Sequence, residues 1–153
     1  SREIFDAIPV VRGCVEGYRL AYAPRQFDLV VPTSRAFVRG TPDLLAQMLD
    51  KLVENAVDFA TPNTSVRVIL ANDGERVTLR VENEGQPLPE GLRGSTFESM
   101  QSLRSAPTTG VPHLGLGLYI ARLIAEFHGG TLRADSLSGK AGAVFEAGLA
   151  RVS

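Results

Sequence analysis

The chain has 153 residues, of which 44% are hydrophobic and 22% charged, an ordinary globular composition that suits one domain over 1–153. Its formal net charge of −1 argues against a nucleic-acid partner, which normally requires a strong basic excess. The single cysteine excludes an internal disulfide and a cysteine-rich metal site. No apolar run approaches the roughly 20 residues that span a bilayer, which argues against direct membrane insertion, and a first residue other than methionine suggests a fragment of a longer protein.

Helix and strand patterns alternate along the first part of the chain. Residues 4–21 show helical apolar spacing, and residues 27–31 and 36–38 are short strand candidates. The clearest helix spans about 42–60, where Thr41 can cap the first turn. Its apolar stripe, at helical spacing, comprises Leu45, Leu49, Leu52, Val53, Ala56 and Ala60.

Two strands and a long non-periodic segment follow. Residues 65–71 and 76–82 flank Asn72-Asp73-Gly74, a strong hairpin turn signal. Residues 84–113 are rich in glycine and proline and have no persistent period. A segment of this length inside a compact domain is usually functional or disordered, so we expect a long loop across the open side of the domain.

The chain closes with a helix and a second hairpin. Residues 115–128 have a helical pattern, and Gly129 and Gly130 provide its exit. The side chains expected to face inward are Leu116, Ile120, Leu123, Ile124 and Phe127. Residues 131–135 and 143–149 are the last two strands. Together the elements predict an α/β (α+β) two-layer sandwich, with a mixed, largely antiparallel sheet of about four to six strands on about three helices.

Two asparagines interrupt the apolar patterns. Asn55 lies at the margin of the helix stripe, beside Lys51 and Asp58, at a partly exposed position that can reach a cleft edge. It is either a surface asparagine or a neutral oxygen ligand for Mg²⁺, which prefers oxygen donors. Asn83 shares the inward strand face of Val81 by parity. It either ties down the turn that follows or reads an adenine edge, which offers both a donor and an acceptor.

The segment His113–Leu118 places Gly115 and Gly117 just before a helix. Backbone N–H groups can approach a phosphate there, and the helix dipole favours negative charge. The pattern is not a dinucleotide-binding fingerprint, because Ile120 occupies the third glycine position. It is not a P-loop either, because no Gly-Lys-Ser/Thr follows.

In combination, four motifs resemble those of the ATP-binding fold shared by histidine kinases, DNA gyrase B, MutL and the heat-shock chaperone of that superfamily. They are an asparagine box at Leu45–Ala60, a first glycine box at Val81–Pro89, a phenylalanine box at Phe97–Met100 and a second glycine box at Gly115–Ile120. The resemblance covers residues 5–150, nearly the whole chain. The phenylalanine box together with His113-Leu114-Gly115-Leu116-Gly117 is similar to kinases linked to proteobacterial sortase systems.

The resemblance implies the ATP-binding catalytic domain of a bacterial sensor histidine kinase, an enzyme that uses ATP and Mg²⁺. Asn55 would hold the Mg²⁺ and Asn83 would read adenine. As catalytic residues, Lys51 or Arg104 would bring positive charge to the phosphates. The other residues implied to bind nucleotide are Asp58, Gly85, Phe97, Leu114, Gly115, Leu116, Gly117 and Leu118.

Several positions depart from the family pattern. Asn83 stands where an aspartate is usual, so we expect weaker but retained adenine binding, and Pro87 replaces the second glycine of that box. Asp58 stands where kinases often carry a basic residue. Lys51 occupies the position of the hydrolytic glutamate in the ATPase branches, which disfavours the alternative of a gyrase- or MutL-type ATPase module. Asn83 and Pro87 leave open a degenerate nucleotide sensor that binds without phosphoryl transfer.

The resemblance also implies partners and a location. The γ-phosphoryl group would pass to a histidine on the separate dimerisation and phosphotransfer domain of the same parent, and a response regulator would be reached through the full-length protein. The chain would be a cytoplasmic domain of a parent in the bacterial inner membrane. Neither His113 nor His128 lies in a phospho-acceptor helix pattern, so we expect the acceptor histidine outside this fragment.

Overall fold

The computed structural model describes residues 2–86 and 114–152, which contain seven strands and three helices. In chain order these are β1 (Glu3–Asp6), α1 (Ala7–Ala21), β2 (Phe27–Val30), β3 (Phe37–Gly40), α2 (Pro42–Phe59), β4 (Val66–Asn72), β5 (Arg76–Glu84), α3 (Leu114–Phe127), β6 (Thr131–Ser136) and β7 (Gly142–Ala150). Phe97 and Arg104, which the family resemblance singles out, lie outside the described residues.

Five strands form a mixed sheet in the order β2-β4-β5-β7-β6. Only β2 and β4 run parallel among these pairs, and the others are antiparallel. Apolar and polar side chains alternate along β4 and β5, so one face of the sheet is buried under the helices. β1 and β3 form a separate antiparallel pair. The predicted α/β sandwich with a mixed, largely antiparallel sheet is confirmed.

The hairpin between β4 and β5 forms where the turn signal predicts it. The Asp73 carboxylate accepts backbone hydrogen bonds from Glu75 and Arg76 at 2.9 and 2.8 Å, and these bonds lower the pKa of Asp73 below its ordinary value. Gly74 adopts a φ of +96°, which glycine tolerates without a steric cost. The turn sets the strand register, in which Asn83 pairs with Val66 at the far end of the hairpin.

Helix α2 begins and packs as its sequence pattern predicts. The Thr41 hydroxyl caps it by accepting from the Leu44 N–H at 3.1 Å, and Pro42 occupies its first turn. The predicted stripe is buried except for Ala60, which follows the helix as its C-cap in extended conformation. Met48 is also fully buried on this face. This helix is the platform on which Asn55 is placed.

The predicted helix over 4–21 is wrong at its start. Residues 3–6 form β1, which pairs with β3, because the strand partner is distant in sequence and invisible to local periodicity. The Asp6 carboxylate then caps α1 by accepting from the Ile8 N–H at 3.1 Å, and it also accepts from the Ala36 N–H at 3.2 Å. The rest of the predicted helix forms.

The predicted inward face of α3 is also wrong in part. Leu116 and Leu123 are 57% and 45% exposed, although both were expected to face the core. Among the side chains of α3 that are fully buried are Leu118, Ala121 and Ala125. Helix α3 is apolar on most of its circumference, so periodicity alone cannot select a face, and the small residues let α3 approach its neighbours closely.

The end of α3 is joined to the start of α2 through His128. The imidazole Nε2 accepts from the Thr41 N–H at 3.3 Å, and Nδ1 donates to the Ile124 carbonyl at 2.8 Å, so the proton resides on Nδ1. His128 is buried, and a Cβ on Gly40 would overlap its ring. The packing therefore requires glycine at position 40.

The non-periodic segment begins later than predicted. Strand β5 continues to Glu84, two residues beyond its predicted end, and Gly85 forms an isolated bridge with Ala60. The remainder of the predicted loop, from residue 87 to residue 113, lies outside the described residues.

Candidate functional site

A cavity of about 420 Å³ lies between α2 and α3. Most of its lining residues come from the exposed side of α2 and the first turns of α3, and the remaining one comes from the end of α1. They are Tyr22, Lys51, Glu54, Asn55, Asp58, Leu116, Gly117 and Ile120. The structure thus brings together five residues that the sequence singled out: Lys51, Asn55, Asp58, Leu116 and Gly117.

Asn55 is buried more deeply than predicted. It is only 2% exposed, and its amide Nδ2 has no hydrogen-bond partner among the described residues. A Cβ built on Gly117 would lie 3.8 Å from both amide atoms, so the backbone of α3 passes directly over the asparagine. Because α3 covers it, a position that looks partly exposed on an isolated α2 becomes buried in the fold. A buried amide atom without a partner among the described residues is rare in proteins, and in a cavity lining it makes Asn55 a candidate ligand contact.

Charged side chains of both signs surround this asparagine. Lys51 Nζ lies 3.8 Å from Glu54 Oε1, one turn apart on α2. Asp58 follows Asn55 by three residues and is exposed on the same side of the helix. Lys51 lines the cavity, and the Glu54 carboxylate offsets part of its charge.

Tyr22, at the C-terminal end of α1, was not anticipated from the sequence. It precedes Asn55 by more than thirty residues, and only the packing of α1 on α2 brings it to the cavity. Its ring packs against Tyr18 and Phe27, with centroid separations of 6.2 and 5.9 Å. Burial raises the pKa of Tyr22, and the carboxylates of Glu54, Asp50 and Asp58 raise it further. The hydroxyl is therefore a neutral donor at physiological pH.

Asn83 lies on the inward face of β5, as strand parity predicts. It is 1% exposed, and its Nδ2 donates to the Glu84 carbonyl at 3.4 Å. Its Oδ1 is buried without a partner among the described residues. Asn83 is not one of the residues that line the α2–α3 cavity. It borders a separate cavity of about 630 Å³ that is lined mainly by the outward side chains of β2, β4 and β5, such as Arg67 and Arg80.

Gly85 joins the end of β5 to the end of α2. A Cβ there would overlap the Phe59 carbonyl, so only glycine permits the close approach of the two backbones. Thr61 N–H donates to the Glu84 carbonyl at 2.8 Å, and Gln86 N–H donates to the Phe59 carbonyl at 3.3 Å. The structure thus gives the predicted nucleotide-binding Gly85 a backbone role, which places Asn83 close to the C-terminal end of α2.

The second glycine box opens α3. Gly117 and the exposed Leu116 line the cavity, whereas the Leu118 side chain is buried in the core. Leu114 and Gly115 form the start of the helix. Gly117 is the residue of this box that approaches the Asn55 amide, and the phosphate cradle at the start of the helix stays a prediction.

The donor set of this site fits ATP with Mg²⁺. Asn55 leaves its Nδ2 donor and Asn83 leaves its Oδ1 acceptor without a partner among the described residues. The Asn55 Nδ2 suits a phosphate oxygen, and the Oδ1 of the same amide is a suitable ligand for Mg²⁺. Within 2–86 and 114–152, no group of three His, Cys, Asp or Glu side chains could hold a metal alone. Mg²⁺ at this site would accordingly need substrate phosphates and water as further ligands, which is its usual coordination in nucleotide sites.

A two-layer α/β sandwich with an asparagine-lined cavity between two helices is the architecture of one class of ATP-binding domain. The chain belongs to the family of histidine kinase-, DNA gyrase B- and HSP90-like ATPases, whose family model matches residues 40–151. The match begins at the end of β3 and includes α2, α3 and four strands of the five-stranded sheet, β4 to β7. The family assignment made from the sequence motifs is confirmed.

Within this family, the chain is similar to proteins named as sensor kinases and histidine kinases. It is 25% identical over 147 residues to sensor protein kinase WalK of Staphylococcus saprophyticus, covering 95% of this chain and 24% of the relative. It is 29% identical over 125 residues to the circadian input-output histidine kinase CikA of Synechococcus elongatus, covering 82% of this chain and 17% of the relative. This chain thus spans about a quarter or less of the length of these two curated relatives.

The fold matches solved histidine kinase domains. The mycobacterial sensor histidine kinase MprB superposes with a TM-score of 0.79 at 24% identity, covering 99% of this chain and 98% of that one. The catalytic domain of histidine kinase ThkA has the same TM-score at 22% identity, with coverage of 99% and 97%. In sequence and fold the chain corresponds to the ATP-binding catalytic domain of a sensor histidine kinase. Among the described residues, no helix is both long and apolar enough to cross a membrane.

Proposed function

We propose that this chain binds Mg-ATP in the α2–α3 cavity and transfers the γ-phosphoryl group to a histidine on a separate dimeric helical domain of the same parent protein. The observation that carries the proposal is Asn55, a buried amide with an unpartnered atom that faces the cavity beneath Gly117. A second buried amide, Asn83, has an unpartnered oxygen and lies close to the same, C-terminal end of α2. The two positions suit the metal-bound phosphates and the adenine of one nucleotide.

Each residue near the cavity has a proposed task. The Asn55 side chain would hold Mg²⁺, and the Asn83 oxygen would accept from the adenine amino group. The backbone at Gly115 and Gly117 would cradle phosphate at the start of α3, with Leu116 at the rim. Bound Mg²⁺ would neutralise negative charge on the phosphates, which lowers the barrier to phosphoryl transfer. Lys51 would add positive charge from α2.

The family resemblance supplies further proposed contacts. Arg104 would contact the γ-phosphate and Phe97 would pack in the loop over the nucleotide, while Asp58, Gly85, Leu114 and Leu118 would contribute positions around it. A parent in the bacterial inner membrane and a response regulator as the final acceptor complete the proposal. Phosphoryl transfer of this kind depends on positioning and charge neutralisation more than on covalent chemistry by the protein.

Radiolabelled ATP tests the proposal with three samples: this chain, the helical domain of its parent, and both together. We expect label on the helical domain in the mixture and none on this chain alone. The reaction should be slow, because a linker normally gives an effective concentration in about the millimolar range. Label on this chain alone would contradict the proposal that the acceptor histidine lies elsewhere.

A nucleotide sensor without transfer activity is the second candidate. It is favoured by one observation, the neutral Asn83 where an aspartate would give a stronger, charge-assisted acceptor. The same assay separates the two candidates once ATP binding has been measured by calorimetry. A chain that binds ATP and leaves the helical domain unlabelled would be a sensor.

A further inference from the structure

The wall of the α2–α3 cavity that holds Asn55 is acidic. Glu54 and Asp58 both line the cavity, and Lys51 is the single cationic side chain among its described lining residues. Lys51 lies 3.8 Å from the Glu54 carboxylate, so part of its charge is already offset. One positive and two negative side chains leave the described lining with a net charge of −1.

An acidic wall is unfavourable for a polyanion. Carboxylates within several ångströms of the phosphates of metal-free ATP would repel them, and the repulsion is reduced but not removed by solvent at exposed positions. A divalent cation changes the sign of this interaction, because hydrated Mg²⁺ accepts carboxylates as neighbours through its water ligands. The same wall therefore opposes one form of the nucleotide and favours the other.

We propose that Asp58 and Glu54 make this cavity selective for the divalent-cation complex of ATP over metal-free ATP, with Asp58 facing the hydrated cation. This inference rests on the proposed function, since it requires the nucleotide phosphates to lie beside Asn55. The buried, unpartnered Asn55 amide in the same cavity is the independent sign of a ligand there. Among the described residues no three acidic or imidazole groups converge, so we expect nucleotide phosphates and water to complete the coordination of the cation.

The field of these carboxylates extends across the cavity. They contribute to the raised pKa of Tyr22, which lines the same cavity, after the larger effect of burial. The Tyr22 hydroxyl makes no hydrogen bond to any described residue, so it is available as a neutral donor where the acidic side chains offer none. Tyr22, Lys51 and the unpartnered Asn55 Nδ2 are then hydrogen-bond donors in a cavity whose carboxylates favour a cation.

Isothermal titration calorimetry with ATP, in excess Mg²⁺ and separately in EDTA, measures the selectivity as the ratio of the two affinities. The wild-type chain should bind at least about tenfold more tightly in Mg²⁺ than in EDTA. Removing one exposed charge in Asp58→Asn should reduce the ratio about threefold, as expected for about 0.7 kcal/mol at an exposed pair. Asp58→Lys should reduce it about tenfold, chiefly by strengthening binding in EDTA.

Asp43→Asn is the matched control, because Asp43 lies on the same helix fifteen residues earlier, about 22 Å away along its axis. Its ratio should equal that of the wild type, and thermal melts should show all variants folded. An unchanged ratio in Asp58→Lys, or an equal change in Asp43→Asn, would overturn the inference. Equal wild-type affinity in Mg²⁺ and EDTA would overturn the inference but leave ATP binding intact. No binding in either condition would overturn the proposed function itself.

Discussion

Buried polar groups near the two ends of α2 differ in their hydrogen bonding. At the first end, the Thr41 hydroxyl caps the helix, the Thr41 N–H donates to His128, and His128 donates to Ile124. Toward the second end, Asn55 and Asn83 are buried equally well, yet each keeps an amide atom without a partner among the described residues. Thr41 and His128 are thus hydrogen-bonded at the first end, whereas Asn55 on α2 and Asn83 on the neighbouring β5 each keep one unpartnered atom at the second.

The difference separates structural from ligand-binding polar groups. An unpartnered buried polar atom costs about 1–3 kcal/mol of folding stability, so a fold that needs only stability fills such positions with partners or apolar groups. His128 and Thr41 follow that rule. Asn55 and Asn83 violate it at the positions where the proposed nucleotide would supply the missing bonds. Substitutions at the first end should act on the free energy of unfolding, and those at the second end on nucleotide affinity.

The largest effect on the free energy of unfolding is expected for Gly40→Ala. The added methyl group would overlap the His128 ring and force it away from Thr41. We expect a loss of about 3 kcal/mol, combining overpacking with a broken buried hydrogen bond. Urea denaturation measures it. Gly13→Ala on the exposed side of α1 is the control, because its Cβ meets nothing within 4 Å, and it should stabilise the chain by about 0.5–1 kcal/mol.

The second-largest loss in the free energy of unfolding is expected for Asn83→Asp. This variant should lower stability while ATP affinity is kept. The variant replaces a donor to the Glu84 carbonyl with a buried carboxylate, so we expect a loss of about 2 kcal/mol. ATP affinity should be retained or increased, because a charged acceptor binds the adenine amino group more strongly. A folded variant that has lost ATP affinity would show that Asn83 does not contact adenine. Asn63→Asp, the same change at an exposed position without a side-chain hydrogen bond to a described residue, should leave both quantities nearly unchanged.

Tyr18→Phe tests the hydrogen bond between Tyr18 on α1 and Asp50 on α2. The Tyr18 hydroxyl donates to the Asp50 carboxylate at 2.5 Å, and the loss of this bond should cost about 1–2 kcal/mol at neutral pH. Burial, and then the bond to Asp50, raise the pKa of Tyr18 above its ordinary value near 10.0. The stabilisation is thus fully present below that value and is lost as the pH rises beyond it.

Stability curves from pH 7 to 11 measure this effect in the wild type and in Tyr18→Phe. The wild-type stability should fall more steeply above the ordinary tyrosine pKa. Parallel curves would show that the Tyr18–Asp50 bond does not contribute. Tyr22→Phe is the control at pH 7, because the Tyr22 hydroxyl bonds to no described residue and its loss should cost little.

Of these variants, Asn55→Ala should change the free energy of unfolding least and should reduce ATP affinity most. Deleting a buried amide that lacks one partner should change stability by less than about 1 kcal/mol. Mg-dependent ATP binding should be lost. Calorimetry and a thermal melt on the same sample measure both quantities, and unchanged Mg-ATP affinity in the folded variant would refute the assignment of Asn55 to the metal.

Local sequence signals predicted the central part of the fold. The cap at Thr41, the hairpin at Asp73 and the inward position of Asn83 each depend on neighbours within a few residues, and each is as predicted. The start of α1 and the inward face of α3 were not predicted correctly. The first depends on pairing with β3, and the second on the choice of one face of a helix that is apolar on most sides.

The sequence by itself determined the family, the order of the motifs and the residue types that surround the proposed nucleotide, because these follow from spacing along the chain. Only the tertiary structure decided how those residues are used. Packing of α3 over α2 buries Asn55 and leaves its amide unpartnered, and packing of α1 against α2 brings Tyr22 to the same cavity. Burial and unmet hydrogen bonds arise from contacts between elements distant in sequence, so no local pattern in the chain encodes them.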